Sequence, residues 1–206
     1  MRDEKIGDFL AQLADRVPAP GGGAAAALQA ALAAALLGMV ARYTTGENYA
    51  EHEEMIGRII EEADELQAIA LRLAQADADA FAAVATAYKL PRSTDGERAE
   101  RSEAIAAALA GAAWPPAKLI GLASLIVDLA GALVGIGNRN VIGDLAASAE
   151  AARAAVAISR MNIEINLAAI DDAQASLELI ADADKADGVI AKAQQIAASV
   201  REQIRA

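Results

Sequence analysis

Apolar residues recur at helical spacing along almost the whole chain. Ile6, Phe9, Leu10 and Leu13 form a stripe over residues 3–16. It ends at Val17-Pro18-Ala19-Pro20, because two prolines two residues apart cannot sit inside a helix. Gly21-Gly22-Gly23 then opens an Ala-rich run that reads as a helix to about Tyr43, and Thr44-Thr45-Gly46-Glu47-Asn48 breaks it. A long stripe follows over residues 49–90, carried by Ile56, Ile59, Leu66, Ile69, Leu73, Phe81 and Val84. After the loop at 91–96, where Ser93 or Thr94 is the expected N-cap, a fourth helix starts near Asp95 and meets Trp114-Pro115-Pro116. The proline pair should kink or split it. Its continuation over 117–136 is apolar except for Lys118 and Asp128. A fifth helix is predicted over 141–170, and Asp171 or Asp172 caps a last one that runs nearly to Arg205. No linker or composition shift divides the chain, so residues 1–206 read as one all-α domain, an antiparallel bundle of about six helices.

Composition strengthens that reading. Of 206 residues 57 are Ala, the best helix former and a poor strand former. Aromatics are only 3%, so helices should pack closely through small side chains. A net charge of −11 argues against nonspecific binding to nucleic acid or to an anionic membrane. With no Cys and one His, thiolate chemistry and multi-histidine metal sites are excluded. The uncharged run 17–41 is long enough to span a bilayer. Its two prolines, three glycines, Gln29 and weakly inserting Ala residues favour a buried central helix instead. A start as acidic as MRDEKIGDFL does not read as a signal peptide, and a cytoplasmic location is expected.

Three places interrupt the helical text. Pro18-Ala19-Pro20-Gly21-Gly22-Gly23 precedes a helix N-terminus, where exposed backbone N–H groups and the helix dipole favour negative charge. A tight turn would explain it as well, but three adjacent glycines cost chain entropy. In Gly137-Asn138-Arg139-Asn140-Val141-Ile142-Gly143-Asp144, Asn138 or Asn140 can cap a helix, while Asp144 falls in its first turn on the face of Asn140. Asp77 shares a helix face with Phe81, Val84 and Tyr88, and a carboxylate on such a stripe needs a partner, Arg72 or Arg92, or a function. Lys89-Leu90-Pro91-Arg92 follows it as a basic pair at a helix end. His52, and the acidic residues Asp182, Asp184 and Asp187, read as solvated surface.

In this order Pro-x-Pro-Gly-Gly-Gly, Asp-x-x-x-Phe, Lys-Leu-Pro and Gly-Asn-x-Asn-x-x-x-Asp, followed by Asn162-Ile163-Glu164-Ile165-Asn166-Leu167, resemble the formiminotetrahydrofolate cyclodeaminase / methenyltetrahydrofolate cyclohydrolase family in its stand-alone form. The resemblance covers residues 6–172. It departs at Ala24 and Gly143, where the family usually has Ser, and at Arg92, where it usually has Lys. It implies an all-helical homodimer with folate sites in clefts at or near the subunit interface, and a small-molecule folate as the partner.

Methenyltetrahydrofolate carries a delocalised cation over N5, the bridging carbon and N10. The cyclohydrolase adds water to that carbon. The cyclodeaminase lets N10 attack a formimino carbon on N5 and expels ammonia. Both reactions pass through a tetrahedral carbon and need proton transfers, but no metal or redox cofactor. On that basis Asp144 and Asp77 are the candidate catalytic carboxylates, with Asp144 expected to matter most to turnover. Lys89, if desolvated, is a proton donor. Pro20, Gly21, Gly22, Gly23, Asn138, Asn140 and Arg92 are the candidate binding residues, with Arg16 and Arg42 as further cations for a glutamate tail. Asn162 stands 18 residues from Asp144, five helical turns or about 27 Å away, so the two cannot touch one reacting carbon; Asn162 and Asn166 belong to the far end of a ligand, to another subunit's site or, the first choice, to helix packing. The expected activity is the cyclohydrolase; the alternatives are the cyclodeaminase or a folate-binding paralogue without activity.

Overall fold

Seven α-helices carry the chain in the computed structural model, which describes residues 3–168, 170 and 172–205. They are α1 (Ile6–Ala14), α2 (Gly22–Tyr43), α3 (Glu53–Ala87), α4 (Asp95–Ala112), α5 (Trp114–Leu133), α6 (Ile142–Leu167) and α7 (Ala173–Arg205). Short 3-10 turns precede α3 and α6 at Glu47–His52 and Arg139–Val141. No strand occurs among the described residues. The proline pair splits the fourth helix rather than kinking it. Pro115 and Pro116 occupy the first turn of α5, where a missing N–H and a fixed φ cost nothing.

The caps follow the local chemistry. Thr94 closes a capping box with Glu97: the Glu97 N–H donates to Thr94 Oγ1 at 3.2 Å, and the Thr94 N–H donates to Glu97 Oε2 at 2.9 Å. Asp172 accepts from the N–H groups of Gln174 and Ala175 and so caps α7; Asp171 lies outside the described residues. Gly46 has φ +103°, a left-handed conformation in which a side chain would be strained. At Gly137 an added Cβ would come within 2.9 Å of the Leu133 carbonyl oxygen, so glycine lets α5 end against its own last turn.

The Ala-rich α2 runs through the centre. Ala26, Ala30, Ala33, Leu37, Val40 and Ala41 are fully buried. Although long and apolar enough to cross a membrane, 61% of its apolar window is buried inside the bundle. Small side chains let neighbours approach closely: a Cβ on Gly38 would stand 3.4 Å from that of Ala63 on α3. Residue pairs fix the directions. Gly23 meets Asp77 and Gly38 meets Ala63, so α2 and α3 are antiparallel. Gly22 meets Ile158, and Ser148 Oγ donates to the Ala33 carbonyl at 2.7 Å, so α2 and α6 are antiparallel too. The Lys192–Asp128 ion pair and the Gln203 bond to the Val134 carbonyl set α7 parallel to α5, as second neighbours in a run of hairpins must be.

Candidate active site

One consequence of these directions is that the start of α2, the C-terminal half of α3, the end of α4 and the C-terminal part of α6 meet at one end of the bundle. There they enclose a cleft of about 230 Å³, lined on these elements by Gly21–Gly23, Asp77, Phe81, Val84, Leu109, Ala112, Asn162, Ile165 and Asn166, with Pro18 at its edge.

Asp77 is the charged group in it. Its carboxylate lies against Gly23: a Cβ there would be 2.0 Å from Oδ1 and 2.4 Å from Cγ. Glycine at 23 is therefore the condition for Asp77 to occupy its place. The other two glycines differ. An added Cβ on Gly22 would meet only Ile158 Cγ2, at 4.0 Å, and one on Gly21 would meet nothing. Both line the cleft without crowding a neighbour. Burial pushes the Asp77 carboxyl above the usual carboxylate range, and the Ala24 N–H in the first turn of α2 pulls the other way by favouring the ionised form. Neither Arg72 nor Arg92 pairs with it; among the described residues Asp77 forms no ion pair. A half-buried carboxyl without a counter-cation, held against a helix N-terminus, is a candidate to take up and return a proton.

Opposite stand two asparagines for which the sequence favours packing but leaves the far end of a ligand open. Asn162 and Asn166 lie one turn apart on α6 and line the cleft. Asn166 Nδ2 donates to the Asn162 carbonyl at 3.0 Å. The Asn162 side chain makes no hydrogen bond among the described residues. Counting along α6 places Asn162 too far from Asp144 for both to touch one reacting carbon. That separation is real, since α6 is unbroken from Ile142 to Leu167, but the cleft lies at the Asn162 end. The signal available in the sequence was the asparagine pair at i and i+4, beside the exposed apolar Ile165.

Asn138, Asn140 and Asp144 sit at the opposite end of the bundle. Asn138 is spent on joining loops: Nδ2 donates to the Tyr43 carbonyl at 2.6 Å, Oδ1 accepts from the Asn140 N–H at 3.0 Å, and its own N–H donates to Thr44 Oγ1 at 3.0 Å. Thr44 is itself buried and donates to the Val40 carbonyl. Asp144, in the first turn of α6, is partly exposed. Within one chain these three do not reach the cleft, because the length of α2 separates them from Gly23.

Lys89 and Arg92 are both exposed, so the desolvation that would make Lys89 a proton donor is not provided by this chain. The loop carrying them is clamped from α4, where Arg98 donates to the carbonyls of Arg92 and Ser93, and Arg101 to that of Tyr88 while lying 5.5 Å from its ring. Pro20 is buried beside the glycines, after a cis Ala19–Pro20 bond. Arg42 is paired with Asp64 at 2.6 Å, and Arg16 is exposed. Of the acidic residues on α7, Asp182 pairs with Lys185 and Asp187 with Arg160.

A helical bundle with one lone carboxyl in a glycine-walled cleft is the frame of an acid–base enzyme for a small ligand. The comparisons narrow this. The family model described as formiminotransferase-cyclodeaminase matches residues 5–185, and the chain belongs to that family. It is 32% identical to a methenyltetrahydrofolate cyclohydrolase of Methylorubrum extorquens, over 98% of this chain and 97% of that protein. It is 35% identical to the formimidoyltransferase-cyclodeaminase of Mus musculus over 82% of this chain, which is 32% of that longer protein. A solved structure of formiminotetrahydrofolate cyclodeaminase from Thermotoga maritima superposes with a TM-score of 0.86 at 27% identity, over 98% of both chains.

Proposed function

We propose that the protein is a methenyltetrahydrofolate cyclohydrolase, opening its substrate to formyltetrahydrofolate. What carries the reading is the end-to-end likeness to a stand-alone cyclohydrolase, joined to the position of Asp77 in the cleft. The bridging carbon of the substrate is an electrophilic cation. Asp77, ionised, faces it and stabilises it. Water adds to the carbon while its proton passes to Asp77. The C–N5 bond then breaks as Asp77 returns that proton to N5, the hydroxyl proton leaves to solvent, and the carbon becomes a formyl group on N10. The net reaction consumes one water and releases one proton. Gly21 and Gly22 let the ligand approach the backbone, and Phe81 offers it an aromatic face.

The second reading is the cyclodeaminase, favoured by the likeness to the Thermotoga structure. N10 would attack the formimino carbon and ammonia would leave, with Asp77 moving the proton. Purified protein given methenyltetrahydrofolate should abolish its near-ultraviolet absorbance; protein given formiminotetrahydrofolate should release ammonia if the second reading holds. Neither signal would leave a folate-binding paralogue without activity.

The reading includes a cytoplasmic homodimer that needs no cofactor and does not act on nucleic acid or membranes. Its support is an apolar groove of about 460 Å³ between α1, α2 and α3, where Ile6 is 78% exposed, Leu32 60% and Leu10 55%. Such a strip is costly to leave in water and fits a second copy of the same face. Asp144, with Asn140, could serve the reaction only across such an interface, on a partner's cleft.

A further inference from the structure

A cleft of about 230 Å³ is smaller than the roughly 300–1,000 Å³ of a site that encloses a drug-sized molecule. It takes part of a ligand, and its walls say which part. Beyond Asp77 the α3 wall is apolar, with Phe81 half exposed and Val84 buried. The α6 wall carries two amides, Asn162 and Asn166, with Ile165 between them. The Asn162 carbonyl oxygen can only accept, so the Asn166 atom bonded to it at 3.0 Å is the NH₂ nitrogen. One of the two Nδ2 hydrogens of Asn166 is thus spent on the helix, and its acceptor, Oδ1, bonds no described residue. Asn162 keeps both a donor and an acceptor. The two amides are four residues apart on one helix, about 6 Å along its axis. An apolar face on one side and two spaced hydrogen-bonding groups on the other suit a flat heterocycle, stacked on Phe81 and read along its polar edge from α6.

Resting on the folate reading, we infer that Asn162 and Asn166 recognise the edge of the substrate's fused ring: Asn162 pairs with a cyclic amide as donor and acceptor together, and Asn166 Oδ1 accepts from a ring or exocyclic N–H. The site thereby selects one-carbon units carried on a pterin over formimino groups carried on a chain amine.

The test uses the full chain as Asn162→Leu and Asn166→Leu, near-isosteric changes at half-exposed helix positions. Two quantities are read: KM and kcat on methenyltetrahydrofolate, and calorimetric affinity for 6-methyltetrahydropterin, which has the ring but no one-carbon unit. Losing a hydrogen bond of ordinary strength costs on the order of a tenfold change. Expected for Asn162→Leu is a KM about tenfold higher with kcat within threefold, and a matching loss of pterin affinity. Asn166→Leu should do the same to a smaller degree, with unfolding temperatures of both unchanged. Unchanged KM and pterin affinity in both variants, with wild type active, would overturn the assignment and leave the folate reading standing. A wild type inactive on both folates would overturn the enzymatic reading and leave a folate-binding paralogue; pterin binding that falls in the variants would then still support the asparagine wall, and a wild type that binds no pterin would remove it.

Discussion

The carboxylate of Asp77 rests on the bare α-carbon of Gly23, closer than any side chain at 23 would allow, with the Ala24 N–H turned toward it. A glycine and an aspartate 54 positions apart in the chain thus make one device: the glycine clears the space, and the start of α2 supplies a positive end to a carboxyl whose charged form burial disfavours.

Asp77→Asn should lower turnover on methenyltetrahydrofolate by about a hundredfold or more, the scale of a lost general base or electrostatic stabiliser. It should not destabilise the fold. Burial raises the Asp77 pKa in the folded state, so the wild-type fold is favoured below the unfolded pKa and loses that contribution as pH rises through the folded value. At neutral pH the variant should unfold at an equal or higher temperature than wild type, and the gap should close in acid. Denaturation at pH 7 and at pH 3 checks this; a variant less stable than wild type at pH 7 would show that Asp77 has a structural partner.

The same raised pKa sets a pH limb. If the ionised carboxylate is the working form, kcat/KM should fall on acidification through a pKa above the ordinary carboxylate value, and Asp77→Asn should flatten that limb. A profile that keeps its acid limb unchanged in the variant would assign it to another group.

Gly23→Ala and Gly22→Ala should part company. A methyl at 23 collides with Asp77 and must push the carboxylate out of place, so the rate should fall toward that of Asp77→Asn, and the double variant should be little worse than either single one. A methyl at 22 meets only ordinary contact with Ile158. It should leave the unfolding temperature unchanged or higher, yet weaken ligand binding by filling cleft space. Equal effects of the two substitutions on turnover would refute the distinction.

Dimerisation can be tested on the apolar strip. Wild type should have the solution mass of two chains at micromolar concentration. Ile6→Glu combined with Leu32→Glu places charge on two side chains now 78% and 60% exposed, and should yield a helical monomer. A doubly substituted protein that remains dimeric would locate the interface elsewhere.

Thr94→Ala removes the side-chain acceptor of the α4 capping box and should cost about 1 kcal/mol of stability. Turnover should be unaffected, since Thr94 does not line the cleft. Chemical denaturation with a parallel rate measurement separates the two effects.

The helices, their breaks and several caps were legible in the sequence because they depend on neighbours: 3.6-residue periodicity, the proline pairs that interrupt it, the break at Thr44–Asn48, and Ser93 or Thr94 before the helix at Asp95. Gly21–Gly23 and Asp77 could each be singled out for the same reason, as local anomalies in an otherwise bland text. Which anomalies belong together could not be read that way. Asn138, Asn140 and Asp144 look as functional as the glycines along the chain, but the antiparallel course of α6 against α2 carries them to the far end of the bundle. That same course brings Asn162 and Asn166, which resemble packing residues in the sequence, to the cleft beside Asp77. Helix formation is decided over a few residues. The site is decided by the direction in which whole helices run past one another, and close packing of alanine and glycine surfaces, spread over the length of each helix, fixes that direction.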